Sequence, residues 1–396
     1  MSRLRNDLEA RKPYLDPDFS DAEYDRRLEV VRAGMARDNL DALIVYCGAG
    51  SSANARWLTN FQPVSGSTFV VVRADGGITM VTDGVLHAEP MHSMVWTCRV
   101  ADIRCSAGPV YGAPVGEAAM LAADAAAGCQ RVGLSGGAVI SKLFYDMLAK
   151  RLSRLEPADH IMAGARLIKS AEEISYMEES GRIADAAFEA LVARLKPGVM
   201  ETQAAAAAVE TMIARGAIES FRTCVVSGKQ AGLKHAYPRA RKMMKGDMVF
   251  LDLGASYRGY ASDTSRCYVV GEKPTGDAAA LLSVARDLYY AGLEEMKPGR
   301  TIDDVAQRLI RVVRGTRWEK DFYESGFGHG VGLDLFEGPG GLFAGSKAEL
   351  KPGMTVAYEP MVVVEGLGTG VVEDTLLITE TGYRPLTHSA QALDAA

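Results

Sequence analysis

Four acidic residues interrupt apolar, strand-like runs in the second half of this 396-residue chain, and a histidine sits among glycines between them. Asp252 in FLDLGASY and Asp263 in YASDTSRCYVV flank Arg258-Gly259, a dipeptide suited to a hairpin turn. Being roughly equidistant from that turn, they are predicted to sit across from each other on one face, with Cβ atoms about 4.5–5.5 Å apart. Glu359 in MTVAYEPMVV and Glu373 in TGVVEDTLLIT straddle Gly366 in the same way. Apolar neighbours imply burial, which raises the cost of an unpaired carboxylate. Unit charges 4 Å apart repel by roughly 1 kcal/mol in water and about 4 kcal/mol at the effective permittivity of a protein interior. No lysine or arginine stands immediately beside these acids in the sequence. Two divalent cations would balance four carboxylates, and His329 would complete an oxygen-rich shell suited to manganese, cobalt, iron or zinc. A salt bridge would explain any one of these residues alone; the five together point to metal.

His329 lies in GHGVGLDLFEGPG, residues 328–340, with five glycines. Glycine suits backbone that must approach something closely. The loop is therefore expected to wall the site, Gly328 and Gly330 letting backbone pass beside metal and substrate and Gly332 relieving crowding. His235, in SGKQAGLKHAYP upstream of the first hairpin, is a candidate proton donor or oxyanion stabiliser, because an imidazole changes charge near neutral pH. His160 and His388 are expected at the surface, as are His87 and His92 unless one of these reaches a neighbouring subunit's site.

Positioning these groups takes more than one core, since a chain of this length exceeds the size at which a single core keeps growing. Ser20 and Glu23 form a capping-box pattern ahead of a helical face made by Tyr24, Leu28, Val31 and Met35. Residues 42–46, 69–72 and 78–81 read as strands, the last two joined by Asp75-Gly76-Gly77. Ser170 and Glu173 open a second helix carrying Ile174, Met177, Ala184, Phe188, Leu191 and Leu195, stopped by Lys196-Pro197-Gly198. The boundary is placed just before it, giving domains 1–163 and 164–396. Helix, Lys-Pro-Gly, helix recurs near residue 296, which suggests a catalytic half built from duplicated α+β units that face each other.

Hydrophobic residues make up 48%, charged residues 24%, and the formal net charge is −6, as in ordinary globular proteins. No apolar run approaches the roughly 18 residues of a membrane span. The charged start MSRLRNDLEARKPYLDPDF lacks a secretory apolar segment, so a cytoplasmic location without membrane contact is expected. Six cysteines without Cys-x-x-Cys spacing argue against a disulfide framework or zinc ribbon. The cluster Arg239, Arg241, Lys242 and Lys245 is too short to imply nucleic-acid binding.

These residues together resemble the methionine aminopeptidase, prolidase and creatinase family. SGKQAGLKHAYP, FLDLGASYRGYASDTSR, GHGVGL, KPGMTVAYEP and VVEDTLLIT occur in the family's order, and DALIVY, ANARWLTNF and VTDG resemble the amino-terminal domain of prolidases and creatinases. The resemblance implies an α+β protein of two domains, an amino-terminal α/β domain and a pita-bread catalytic domain with a pseudo-twofold repeat. It implies that Asp252, Asp263, His329, Glu359 and Glu373 hold two divalent ions. It also implies a homodimer in which the amino-terminal domain completes the partner's site. The reaction implied is hydrolysis of an amide in an Xaa-Pro dipeptide or related small substrate by water, with Glu359 relaying the proton and His235 stabilising the negative oxygen. One position departs: Phe336 stands where the family's peptidases usually carry a second histidine, seven residues after His329. That departure brings forward branches acting on small metabolites, namely creatinase, ectoine hydrolase and a lyase cleaving dimethylsulfoniopropionate, with Asp334 or Glu337 as a candidate base. A catalytically silent binding module is the remaining alternative.

Overall fold

Ser20 accepts a hydrogen bond from the Glu23 N–H and opens α1 (Asp21–Arg37), whose Tyr24, Val31 and Met35 are buried. The Glu23 carboxylate is drawn to Arg26 and Arg27, because the Arg27 guanidinium is buried over Phe19 and beside Trp57 and needs a counter-charge. The computed structural model describes residues 8–48, 50–63, 66–83, 98–106, 116–232 and 236–391.

The chain divides between Arg166 and Leu167 into two compact units. The position 163/164 chosen from the sequence falls inside a helix, Asp159–Leu167. In the first unit, β1 (Ala42–Gly48), β2 (Ser67–Arg73), β3 (Ile78–Thr82), β4 (Asp102–Cys105), β5 (Val132–Ser135) and β6 (Leu155–Pro157) form one sheet in the order β4-β3-β2-β1-β5-β6. Pairing is antiparallel at β1–β2 and β2–β3 and parallel at β3–β4, β1–β5 and β5–β6. Ala118, Ala119, Ala122 and Leu148 from the helices Glu117–Ala125 and Lys142–Arg151 cover Ile44, Phe69 and Val132 of the sheet.

The second unit is two copies of one plan. Helices Ala171–Val192 and Glu201–Ala214 are joined through Lys196-Pro197-Gly198, and helices Gly276–Leu293 and Ile302–Val313 through Lys297-Pro298-Gly299. Gly198 and Gly299 adopt left-handed φ of 88° and 80°, which explains the shared stop signal. The first helix pair is followed by β8 (Cys224–Ser227), β9 (Met248–Leu253) and β12 (Thr264–Val269), the second by β13 (Gly328–Gly330), β15 (Thr355–Tyr358) and β18 (Asp374–Ile378). Each set is antiparallel with its second strand in the middle. Ser170 and Glu173 make both halves of the predicted capping box, and Met177, Ala184, Phe188 and Leu191 are buried.

Strand alternation decides where the acids point. Val249, Leu251 and Leu253 of β9 pack with Ile183, Phe188 and Met212 of the first helix pair, leaving Asp252 on the other face with Phe250. Val356 and Tyr358 of β15 pack with Leu288 and Leu309 of the second pair, and Glu359 falls on the opposite face. Each copy thus turns its acid away from its own helices.

Arg266 is the cation that the sequence reading passed over. It alternates with Ser265 on β12, so its guanidinium leaves the acid face and reaches Asp374 at 2.9 and 3.1 Å. Asp374 also accepts from the Tyr289 hydroxyl at 2.6 Å and from Thr387 Oγ1 at 2.8 Å. Burial, reinforced by the Asp374 charge, holds the Tyr289 phenol far above its ordinary range. Removing one member of such a buried pair strands the other. Arg266→Met is expected to destabilise the protein by about 3–5 kcal/mol, read as a lower urea midpoint, and Arg266→Met with Asp374→Leu should recover part of the loss.

Candidate metal centre

The turn at Arg258-Gly259 has left-handed φ at both residues, 49° and 87°, and pairs Tyr257 of β10 (Ala255–Tyr257) with Tyr260 of β11 (Tyr260–Ala261). The same register continues into β9 and β12, where Asp252 pairs with Ser265. Asp263 therefore stands on the diagonal, two residues before Ser265 and on the same face, rather than directly opposite as the spacing predicted. The two-residue turn fixes this, because it leaves Asp252 further from the turn than Asp263.

The second hairpin does place its acids opposite each other. Tyr358 pairs with Asp374, and Met361 of β16 (Met361–Val364) pairs with Val371 of β17 (Gly368–Val371); Glu359 and Glu373 occupy facing positions in the gap of that single register. The hairpins are stitched edge to edge. Glu373 N–H donates to Ser265 O at 3.1 Å, Asp263 N–H to Thr375 Oγ1 at 2.8 Å, and Thr375 Oγ1 to Asp263 O at 3.0 Å.

His329 enters from β13, which lies between β15 and β14 (Glu337–Gly341), with Ala357 and Gly341 as its neighbours. Its Nε2 is 3.4 Å from Asp263 Oδ2 and its Nδ1 is 3.0 Å from Gly330 O. The glycines beside it have a plain cause. A Cβ on Gly328 would collide with the Ala357 carbonyl, one on Gly330 with the Gly338 carbonyl, and one on Gly332 with the Glu337 carboxylate. The close approach seen at these three glycines is to neighbouring protein atoms, and at Gly332 it is the relief of crowding expected from the sequence.

One ligand-type atom from each of Asp263, His329 and Glu373 lies within 4.8 Å of the others, and all three residues are buried. Asp252 is buried too, and Glu359 is half-buried. Burial lifts the Glu373 carboxyl well above the usual carboxylate range, and the charges of Asp263, Glu359 and Asp252 lift it further, so four acids converge. Burial alone would lower the His329 imidazole, but hydrogen bonding and charge from Asp263 overcome this and raise it. Buried carboxylates with one imidazole make an oxygen-dominated donor set that fits a divalent cation.

The comparisons with known proteins agree with this chemistry. Residues 175–380 match the metallopeptidase family M24, and residues 27–168 match the creatinase/prolidase N-terminal domain. The chain belongs to metallopeptidase family M24. It is 36% identical over 242 residues to an uncharacterized peptidase, YqhT, of Bacillus subtilis (strain 168), covering 61% of this chain and 68% of that protein. It is 33% identical over 239 residues to an Xaa-Pro dipeptidase of Pyrococcus furiosus, covering 59% of this chain and 67% of that one. Among solved structures, an Xaa-Pro dipeptidase from Bacillus anthracis superposes with a TM-score of 0.81 at 26% identity, covering 93% of this chain and 98% of that chain. The two-domain α+β architecture with a pita-bread second unit is that of this family, and the M24 chain is accordingly a metal-dependent hydrolase.

The remaining sequence candidates fall in different places. Phe336 is 67% exposed, and its ring lies 4.2 Å from the His329 ring, centroid to centroid. Asp334 is half-buried in the loop before it. The Glu337 carboxylate is buried in an ion pair with Lys169 at 2.6 Å. His235, His87 and His92 lie outside the described residues. His160 and His388 are largely exposed, beside Asp38 and Asp185 respectively. Of the basic cluster, Arg239 pairs with Glu201, Arg241 with Asp247 and Lys245 with Glu272. Lys169 and Thr375 were not singled out from the sequence, where only Lys169's position beside the Ser170 cap gave any signal.

A methyl group at residue 330 must push β14 away from β13. Gly330→Ala is expected to cost about 1–3 kcal/mol through overpacking, read as a lower thermal midpoint, while the helical circular-dichroism signal stays near wild type.

Proposed function

We propose that the second unit is a dimetal hydrolase that cleaves the C–N amide bond of a small substrate, in the manner of an Xaa-Pro dipeptidase. The observation that carries this reading is the buried meeting of Asp263, His329 and Glu373, with Asp252 and Glu359 acting on the same Glu373 carboxyl. These five residues are the proposed ligands of two divalent ions, manganese, cobalt, iron or zinc. Ions bound there would supply Lewis-acid polarisation of the scissile carbonyl and lower the pKa of water. Glu359, less buried than its partners, is proposed to accept a proton from water and pass it to the leaving nitrogen. His235 is proposed to stabilise the negative oxygen. The relatives named Xaa-Pro dipeptidase support the substrate class, an Xaa-Pro dipeptide. A homodimer and a cytoplasmic location complete the proposal; among the described residues no helix is long and apolar enough to cross a membrane.

The exposed ring of Phe336 against His329 favours a second reading. An apolar surface replaces an imidazole donor at the mouth of the site, which suits a small-metabolite hydrolase of the creatinase or ectoine-hydrolase kind, or a lyase, better than a proline-directed peptidase. Feeding metal-loaded enzyme Xaa-Pro dipeptides beside guanidino compounds and osmolytes separates the two, and turnover of only the latter would reject the dipeptidase reading.

Chelator-treated protein should lose its hydrolase activity and regain it on adding manganese or cobalt. Glu373→Ala should bind less metal by elemental analysis and lose at least about 10–100-fold in kcat/KM; full metal content and full activity would reject Glu373 as a ligand. Phe336→His restores a hydrogen-bond donor of about 1–3 kcal/mol, so Xaa-Pro turnover should rise about tenfold, and an unchanged rate would deny Phe336 that role.

A further inference from the structure

We propose that the buried Lys169–Glu337 ion pair positions Phe336 beside His329, which makes Glu337 a positioning residue rather than a proton acceptor or substrate contact. Both side chains are almost fully enclosed, Lys169 at 1% and Glu337 at 6% exposure, with Nζ 2.6 Å from Oε1. The loop at residues 331–336 is built around that carboxylate. Asp334 N–H donates to Glu337 Oε2 at 3.2 Å, and Gly332 approaches so closely that no Cβ fits between them. Gly332 N–H donates to Asp334 O at 3.0 Å, and Ala261 N–H donates to Gly332 O at 2.8 Å, which ties the loop to the hairpin carrying Asp263.

Lys169 is itself fixed from outside the loop. Its N–H donates to Gly353 O at 2.9 Å, and Ser170, the next residue, caps the helix Ala171–Val192. The cation therefore links the start of the catalytic unit to the strand pair that carries His329, since Glu337 pairs with Gly330 in the β13–β14 register. Phe336 immediately precedes Glu337, so its exposed ring has the neighbouring carboxylate as its anchor. Without Lys169, the enclosed Glu337 carboxylate would lose the cation 2.6 Å away, and the loop built around it would shift to regain compensation.

The test places 4-fluorophenylalanine at position 336 and reads its fluorine resonance, which requires no turnover. One resolved signal, displaced from the free amino acid, is expected in the otherwise unchanged chain and in Lys169→Arg. In Lys169→Met and in Glu337→Gln, which keeps the size of the side chain, the signal should lose the displacement caused by the His329 ring and move toward that of the free amino acid. An unchanged signal in either variant, with wild-type circular dichroism, overturns the proposal. The kinetic arm rests on the hydrolase reading: Lys169→Met should lower kcat/KM in the wild-type background and leave it unchanged when Phe336→Ala is already present. Additive losses overturn the action through Phe336. Absence of dipeptide turnover in the wild type would count against the proposed function alone, because the fluorine arm decides this inference independently.

Discussion

Mutual repulsion among buried carboxylates is the constraint on which this molecule turns. Two hairpins, each folded by its own turn, bring Asp252, Asp263, Glu359 and Glu373 to one place, and Glu373 is lifted well above its normal range by burial and by the other three. A fold does not gather like charges in an apolar interior for stability, because each costs desolvation and each opposes the next. The gathering makes sense as a cation site, and membership of metallopeptidase family M24 says the same from an independent direction.

Two buried cations near that place are held by carboxylates of their own. Arg266, only three residues from Asp263, points to the reverse face and is absorbed by Asp374, Ser389 and the backbone. Lys169 comes close to the His329 strand but is absorbed by Glu337. Among the described residues of this unit, the buried cations Arg266 and Lys169 each have a carboxylate outside the group of converging acids. Thr375 performs a quieter task, fixing the backbone of Asp263 from both its N–H and its carbonyl across the junction of the hairpins.

Phe336 gives this site a character of its own. The exposed Phe336 ring sits against the buried His329 imidazole, so an apolar surface adjoins the histidine that reaches Asp263. Glu337, next to it in sequence, faces inward to Lys169. Adjacent residues on one strand edge point opposite ways, and this separates a candidate specificity element from the group that holds it.

Much of this was legible from the chain alone. The capping box at Ser170 and Glu173, the strands around residues 42–46, 69–72 and 78–81, and the repeated Lys-Pro-Gly stops are local signals, set by a few neighbouring residues, and they correspond to the elements observed. The acids were visible because a carboxylate in an apolar run has no local explanation. What depends on turn geometry to within one or two residues was less legible: Asp263 proved diagonal to Asp252, since a two-residue turn fixes a register that rough equidistance does not. Partnerships between distant segments were not legible at all. Nothing near Lys169 names Glu337, and nothing near Arg266 names Asp374, because such pairs are chosen by which face each strand buries and by what else needs a counter-charge there. The sequence determined which groups could do chemistry; the packing of two hairpins and one strand decided which of them meet.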